Sequence, residues 1–174
     1  SDLASGVTGE IYLTELVRLA RDDGRIVSAV GFEDDGRFDG INDRAQLAAA
    51  EKILRRRLAG QLMTAGVTLV DPERIDIRGE LLCGRDVVIE PHVVFGPGVT
   101  LGDSVEIKAF CHIEGAKIEN GARIGPYARL RPGAKLADDV HIGNFVEVKA
   151  STMGRGSKAN HLAYVGDATV GSNV

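Results

Sequence analysis

A repeat of six residues dominates the second half of the chain. From Cys83 onward, aliphatic or similarly apolar residues recur at fifteen intervals, of which twelve are six residues long and three are five. These repeat positions are Cys83, Ile89, Phe95, Leu101, Ile107, Ile113, Ile118, Ile124, Leu130, Leu136, Ile142, Val148, Met153, Ala159, Val165 and Val170. Neither a helical period of 3.6 nor a simple alternation explains this spacing. It predicts short strands joined by corners, with three units closing one coil of about eighteen residues around a shared apolar core.

Length and charge restrict the remaining possibilities. The 174 residues suffice for one ordinary domain and part of another. The net charge of −4 gives no reason to expect nucleic acid as a partner. No apolar stretch approaches the ~20 residues that span a membrane, and no signal peptide opens the chain. Since the chain starts at Ser1 rather than Met, we expect it to be cropped at the N-terminus.

The two cysteines do not make a disulfide framework. Two thiols in a chain of this size fit a reducing compartment. A bridge between Cys83 and Cys111 is the minor alternative.

Local patterns before the repeat predict two helices and one strand. Residues 9–22 have apolar residues at helical spacing, and residues 25–32 are rich in strand-forming residues. Asp43 and Gln46 form a candidate capping box that opens a helix from about residue 44 to residue 65. A stripe on this helix is expected to be apolar, while its arginines at 55–57 are expected on a solvated face. The stripe comprises Leu47, Leu54, Leu58 and Leu62.

Two segments of the repeat have a specific resemblance. ARLRPGAKLADDVHIGNFVEVK (128–149) and GSKANHLAYVGDATVGSNV (156–174) closely resemble bacterial glucosamine-1-phosphate N-acetyltransferase. In that family the domain is fused to UDP-N-acetylglucosamine pyrophosphorylase. The segments GEIYLTEL (9–16), GINDRAQLAAAE (40–51) and AGVTLVDPERIDIRG (65–79) resemble the end of its pyrophosphorylase domain, its linker helix and the start of its β-helix.

The resemblance implies a mostly β fold with three parts. Residues 1–41 are expected to be the C-terminal remnant of an α/β nucleotidyltransferase (pyrophosphorylase) domain, and residues 42–66 a long linker helix. Residues 67–174 are expected to be the N-terminal part of a left-handed parallel β-helix of hexapeptide repeats, the acetyltransferase domain. The left-handed sense is implied by the resemblance alone.

The resemblance also implies an activity. Members make UDP-N-acetylglucosamine by acetyl transfer from acetyl-CoA to glucosamine 1-phosphate, followed by uridylyl transfer from UTP with Mg²⁺. They are cytoplasmic homotrimers that supply precursors of peptidoglycan and lipopolysaccharide. Because the family's nucleotide loop, its metal-binding Asp and its acetyl-CoA region lie outside this sequence, we expect a fragment that catalyses neither reaction alone.

Counting along the repeat places candidate residues on one face. With successive units assigned to faces A, B and C from Cys83 on face A, three inward residues fall on face C of consecutive coils: Leu130, Val148 and Val165. Their neighbours point outward, because strand side chains alternate. One outward column is Arg129, Glu147 and Tyr164, and the other is Arg131, Lys149 and Gly166. Glu147 is expected to face Arg129, and His161 to lie at the corner from face B to face C.

The resemblance assigns roles to four residues at or beside face C and to one residue at the start of the linker helix. His161 matches the general base, a task that suits an imidazole and is typically worth about 10²–10⁴ in rate. Arg131, Lys149 and Tyr164 match positions that contact the sugar phosphate. Asn42 matches an asparagine that helps to bind Mg²⁺ and the uridine nucleotide; an amide oxygen is a reasonable ligand for a hard cation. Without the resemblance, these would be a surface histidine, a solvated face and a helix-capping residue.

Two other functions are compatible with a hexapeptide repeat. One is an acyltransferase acting on a serine, a different amino sugar or an acyl carrier, and the other is a non-catalytic β-helix that trimerises. A zinc hydratase on such a coil would need three converging histidines. His92, His112 and His141 do not share a face position, so we interpret them as structural or exposed.

Overall fold

A computed structural model describes residues 13–31 and 39–174. The chain divides into two units, Ser1–Phe38 and Asp39–Val174. In the first unit, helix α1 spans Glu15–Asp22 and buries no residue. The predicted helix over 9–22 is therefore observed in its second half, and residues 9–12 lie outside the described residues.

The strand predicted over residues 25–32 is wrong for the residues that are described. Residues 25–31 are not in a strand and are exposed, with Ile26 and Val30 at 95% and 81%. A strand is stabilised by a hydrogen-bonded neighbour, and within residues 13–31 there is none. Phe32 lies outside the described residues.

The second unit begins with helix α2, Arg44–Thr64, close to the predicted bounds. Asp43 Oδ1 accepts a hydrogen bond from the Gln46 backbone N–H (2.8 Å), and Gln46 Oε1 accepts one from the Asn42 N–H (2.6 Å). The reciprocal bond thus reaches one residue further back than in the usual capping box. At the other end, the Gly66 N–H donates to Met63 O and the Val67 N–H to Leu62 O, while Gly66 has φ +97°. This Schellman pattern ends the helix where glycine was expected to end it.

The apolar stripe predicted on α2 is right only at its C-terminal end. Ala59 is buried and Leu62 packs against the core, but Leu47 and Leu54 are 43% and 44% exposed. The helix meets the coil through its C-terminal half, where Arg56 forms an ion pair of 2.8 Å with Glu73 of the first coil. The apolar residues of the first half are therefore only partly covered by the described residues of this unit.

Eighteen short strands and a 3₁₀ turn at Pro72–Arg74 form the coil. They make three six-stranded parallel sheets, one for each face. Face A contains β3 (Leu81–Cys83), β6 (Val99–Leu101), β9 (Lys117–Ile118), β12 (Lys135–Leu136), β15 (Thr152–Met153) and β18 (Thr169–Val170). Face B contains β1 (Thr68–Leu69), β4 (Val88–Ile89), β7 (Glu106–Ile107), β10 (Arg123–Ile124), β13 (His141–Asn144) and β16 (Lys158–His161). Face C contains β2 (Ile75–Ile77), β5 (Val93–Phe95), β8 (His112–Ile113), β11 (Arg129–Leu130), β14 (Glu147–Lys149) and β17 (Tyr164–Gly166).

The predicted parallel β-helix of hexapeptide repeats is thereby confirmed. On each face, the repeat positions of successive coils lie one above the other. Ile107, Ile124 and Ile142, for example, are in register on face B. These three side chains are at most 1% exposed, because the interior of the coil is a single apolar column.

The corner between face B and face C has a regular structure of its own. After the first coil, which turns there through Pro72–Arg74, each coil turns at a residue with left-handed φ between 51° and 62°. These residues, which we call the corner ladder, are His92, Phe110, Tyr127, Phe145 and Leu162. The first four rings stack at 4.9, 4.8 and 5.2 Å between centroids, close to the spacing of neighbouring strands.

Both cysteines are free thiols, so the alternative of a bridge between Cys83 and Cys111 is wrong. Burial raises the pKa of each thiol to about 11. None of the described helices is both long and apolar enough to cross a membrane.

Candidate functional site

The top three coils present the predicted polar columns on face C. Arg129 pairs in register with Glu147, and Glu147 with Tyr164. Lys149 pairs with Gly166, and the Arg131 N–H donates to Val148 O at 2.9 Å, which continues the same register. The face assignment made from spacing is confirmed; the roles of these residues remain predictions.

The two cations of the second column each contact a carboxylate. Arg131 Nη1 lies 3.0 Å from Glu147 Oε1, and Lys149 Nζ lies 3.4 Å from Asp167 Oδ2. Glu147 therefore lies in register with Arg129, as expected, while its carboxylate forms its ion pair diagonally with Arg131. The Arg131 and Glu147 side chains are long enough to reach the neighbouring column, so the register alone does not determine which residues form ion pairs. Because all four groups are partly exposed, these pairs contribute little to stability.

Tyr164 lies over the backbone of Gly166. The Tyr164 side chain is 61% exposed. A Cβ built on Gly166 would lie 2.5 Å from both Cε1 and Cζ of the Tyr164 ring and would overlap its hydroxyl. The ring thus extends along its own strand, toward the position that is paired with Lys149. This brings the phenol hydroxyl to the column of Arg131 and Lys149.

His161 ends β16 at the corner from face B to face C, as predicted. It is exposed and pairs in register with Asn144, whose carbonyl accepts a hydrogen bond from the Leu162 N–H at 3.1 Å. Leu162, with φ 51°, turns the chain toward Tyr164 on face C. The imidazole is therefore open to solvent at the edge of the face that carries Tyr164 and Lys149.

Sequence reasoning missed a glycine that supports this corner. The carbonyl of Asn160 occupies the space that a Cβ on Gly143 would need, and such a Cβ would lie 2.6 Å from the Asn160 carbonyl carbon. Gly143 has no left-handed φ, so this close approach is what glycine permits here. A glycine inside one of the two four-residue strands of the repeat is the signal that could have identified the position.

Asn42 lies apart from this cluster in the sequence, immediately before the N-cap of α2. It is exposed, and its backbone N–H bonds to Gln46. Within residues 13–31 and 39–174, no group of three or more His, Cys, Asp or Glu side chains is arranged to hold a metal ion. Asn42 therefore supplies one amide oxygen without partner ligands among the described residues.

The three remaining histidines occupy separate places. His92 stacks on Phe110 in the corner ladder, His112 is in β8 on face C, and His141 is in β13 on face B. Burial between Arg123 and Lys158 lowers the pKa of His141, first through desolvation and then through the two cations. Their separation agrees with the structural interpretation of these residues.

Comparison with known proteins relates this arrangement to a class. Residues 115–150 match the family described as "Bacterial transferase hexapeptide (six repeats)". The "Bifunctional protein GlmU" of Ralstonia pickettii is 52% identical over 95% of this chain and 40% of that protein. The protein of the same name from Azorhizobium caulinodans is 55% identical over 95% of this chain and 37% of that protein. The acetyltransferase domain of PglB from Neisseria gonorrhoeae, solved with acetyl coenzyme A, covers 68% of this chain and is covered to 64%, at 18% identity and a TM-score of 0.29, which is too low to support an argument.

The fold is a parallel β-helix of hexapeptide repeats, and residues 115–150 of it match a family of bacterial hexapeptide transferases. Within that class the chain is a relative of the bifunctional GlmU proteins, as the sequence resemblance indicated. It spans about two fifths of the length of the curated relatives it matches, at 40% and 37%.

Proposed function

We propose that this chain contributes to a bifunctional enzyme that transfers an acetyl group from acetyl-CoA to glucosamine 1-phosphate and a uridylyl group from UTP to the product. The resemblance of segments 128–149 and 156–174, and the identity to GlmU proteins, support this proposal. The enzyme would be a cytoplasmic homotrimer. The division into a pyrophosphorylase remnant (1–41), a linker helix (42–66) and an acetyltransferase domain (67–174) belongs to the same proposal.

The observation that carries the proposal is that a histidine, a phenol and two cations come together at one corner. His161 ends face B, and Tyr164 begins face C on the same coil. Arg131 and Lys149 follow on the two coils below, in the column to which the Tyr164 hydroxyl extends. In this proposal the two cations hold the phosphate, and the imidazole at the corner faces the amine of the same sugar.

His161 would act as the general base for acetyl transfer. The amine nitrogen attacks the thioester carbonyl carbon, so that a C–N bond forms and the C–S bond breaks. The imidazole takes the proton that the amine loses, and the departing thiolate of coenzyme A is protonated in turn. Exposure of His161 at the corner leaves room for both substrates.

Arg131, Lys149 and Tyr164 would bind the sugar phosphate. A guanidinium fork can hold two phosphate oxygens, while an ammonium group acts as a point charge. Bound phosphate would take over the contacts now made with Glu147 and Asp167, and it gains charge-assisted hydrogen bonds from both cations.

The Mg²⁺ that the resemblance implies for uridylyl transfer would use Asn42 as one ligand and as a contact to the nucleotide. A single exposed amide oxygen is a weak ligand set, since Mg²⁺ prefers near-octahedral oxygen coordination. The described residues do not fit a complete site, and we derive no catalytic step through the metal.

Substitution of His161 tests the proposal directly. In the full-length protein, His161→Ala should lower acetyl-transfer turnover by about 10²-fold or more, while uridylyl transfer continues. His112→Ala is the matched control, because it removes a histidine from face C three coils below Tyr164. Acetyl transfer that stays within a few-fold of wild type in His161→Ala would show that another residue is the base.

The wild-type protein separates the rival functions in the same assay. Acetylation of a different amine or of a hydroxyl substrate would favour another hexapeptide acyltransferase. A protein that transfers no acetyl group to any of them would favour a non-catalytic β-helix.

A further inference from the structure

Gly166 is a glycine whose backbone does not require glycine. It lies in strand β17, and its φ is outside the left-handed region, so an L residue could adopt the same conformation. The reason for a glycine at this position must therefore be the space that a side chain would fill.

That space is occupied by one side chain. The three atoms nearest to a Cβ built on Gly166 all belong to Tyr164, namely the hydroxyl oxygen, Cε1 and Cζ. Both residues point outward from face C, two positions apart on the same strand. Any side chain at position 166 would push the ring away from the strand.

We infer that Gly166 is a positioning residue, which holds the phenol hydroxyl of Tyr164 beside Lys149 for hydrogen bonding to the phosphate of the sugar substrate. The inference rests on the proposed function and adds a residue to it. With a glycine at 166, the hydroxyl reaches across from the column of Glu147 to the column of Arg131 and Lys149. Without that space, the hydroxyl would remain in the column of Glu147, whose carboxylate repels a phosphate.

A double-mutant cycle in the full-length protein tests the inference. Isothermal titration with glucosamine 1-phosphate should show that Gly166→Ala weakens binding about tenfold, the cost of one hydrogen bond to a charged group. In a Tyr164→Ala background, the same Gly166→Ala substitution should have no further effect, because the side chain that it displaces is gone. The melting temperature of each variant should stay close to that of its parent.

Gly96→Ala is the matched control. Gly96 lies on face C directly after the inward-facing Phe95 of β5, and it too has no left-handed φ. A Cβ there would meet Cβ of Glu114 at 2.6 Å and no atom of Tyr164 among its nearest contacts. Its alanine variant should bind the sugar phosphate as wild type does, even where its stability falls.

The outcomes separate the inference from the function on which it rests. Wild type that binds no sugar phosphate rejects the proposed function and the inference with it. Where wild type binds, two results overturn the inference and leave the proposed function standing. One is an equal loss from Gly166→Ala with and without the Tyr164 side chain, and the other is no loss from Gly166→Ala in the protein that keeps Tyr164.

Discussion

At the scale of single residues, Arg131 and Lys149 give the most specific prediction about substrate binding. They occupy equivalent outward positions one coil apart, and each is balanced by one partly exposed carboxylate. We predict that Arg131→Ala or Lys149→Ala weakens glucosamine 1-phosphate binding by ~1.5–3 kcal/mol, the usual contribution of a hydrogen bond to a charged group. Affinity for acetyl-CoA should change much less, and calorimetric titration of both ligands against the full-length variants measures the two effects.

Lys135→Ala provides the control for net charge. Lys135 is an exposed lysine in β12 on face A, so its removal changes the charge of the molecule equally while leaving face C intact. The phosphate-binding assignment of Arg131 and Lys149 fails when both variants keep wild-type affinity for the sugar phosphate.

Which residues share a column could be predicted, but which of them pair could not. The six-residue period determines which residues lie above one another, and the register confirms this for Arg129, Glu147 and Tyr164. The diagonal contact of Glu147 with Arg131 depends on side-chain rotamers that no repeat specifies. The partner of Lys149, Asp167, follows it by eighteen residues but sits at a corner, outside the columns that were counted.

At the scale of elements, capping signals predicted better than composition did. Asp43, Gln46 and Gly66 marked the ends of α2 because each makes a specific hydrogen bond or adopts a special φ. The strand predicted from the composition of residues 25–31 is wrong, because strand-forming residues form a strand only beside another strand that pairs with them. The apolar stripe predicted on α2 has the correct helical period, but its N-terminal residues lie beyond the part of the helix that packs against the coil.

The outward column of face B predicts a response to acid. His141 lies in register between Arg123 and Lys158, and both cations, together with desolvation, lower its pKa. Unfolding relieves all three effects, so the unfolded chain binds the proton more readily. The stabilising contribution is therefore fully present above the ordinary histidine pKa of about 6.5, and it is lost as the pH falls through the lowered value.

His141→Gln should reduce this loss. Urea unfolding of wild type and variant at neutral pH and at about pH 5 gives the comparison, with the wild type losing more stability on acidification. His112→Gln is the control, because the outward neighbours of His112 in register are Val94 and the single cation Arg129. Equal acid sensitivity of the wild type and His141→Gln would contradict the prediction.

At the scale of the whole molecule, the repeat determined the fold because one short pattern, counted from Cys83, accounts for sixteen of the eighteen strands. The corners were less predictable, since the same left-handed φ is adopted by His, Phe, Tyr and Leu as well as by glycine. The corner ladder leaves large apolar side chains in solvent: Phe110, Tyr127, Phe145 and Leu162 are 47%, 47%, 55% and 77% exposed. A continuous exposed apolar ridge of this kind favours contact with another chain.

The proposed homotrimer gives this ridge a partner, and it can be tested there. The ladder runs along the corner into face C and ends at Leu162, next to His161, so cyclic symmetry that places face C against a neighbour would also cover the ridge. Phe145→Asn with Leu162→Asn should shift the full-length protein from trimer toward monomer at micromolar concentration in sedimentation equilibrium. Asparagine tolerates left-handed φ, so the coil itself should remain folded.

The control is Ala150→Asn, at a left-handed residue (φ 44°) of the corner from face C to face A, which should leave the trimer intact. Wild-type protein that sediments only as a monomer would reject the trimer, and a trimer unaffected by the double substitution would remove the ridge from its interface.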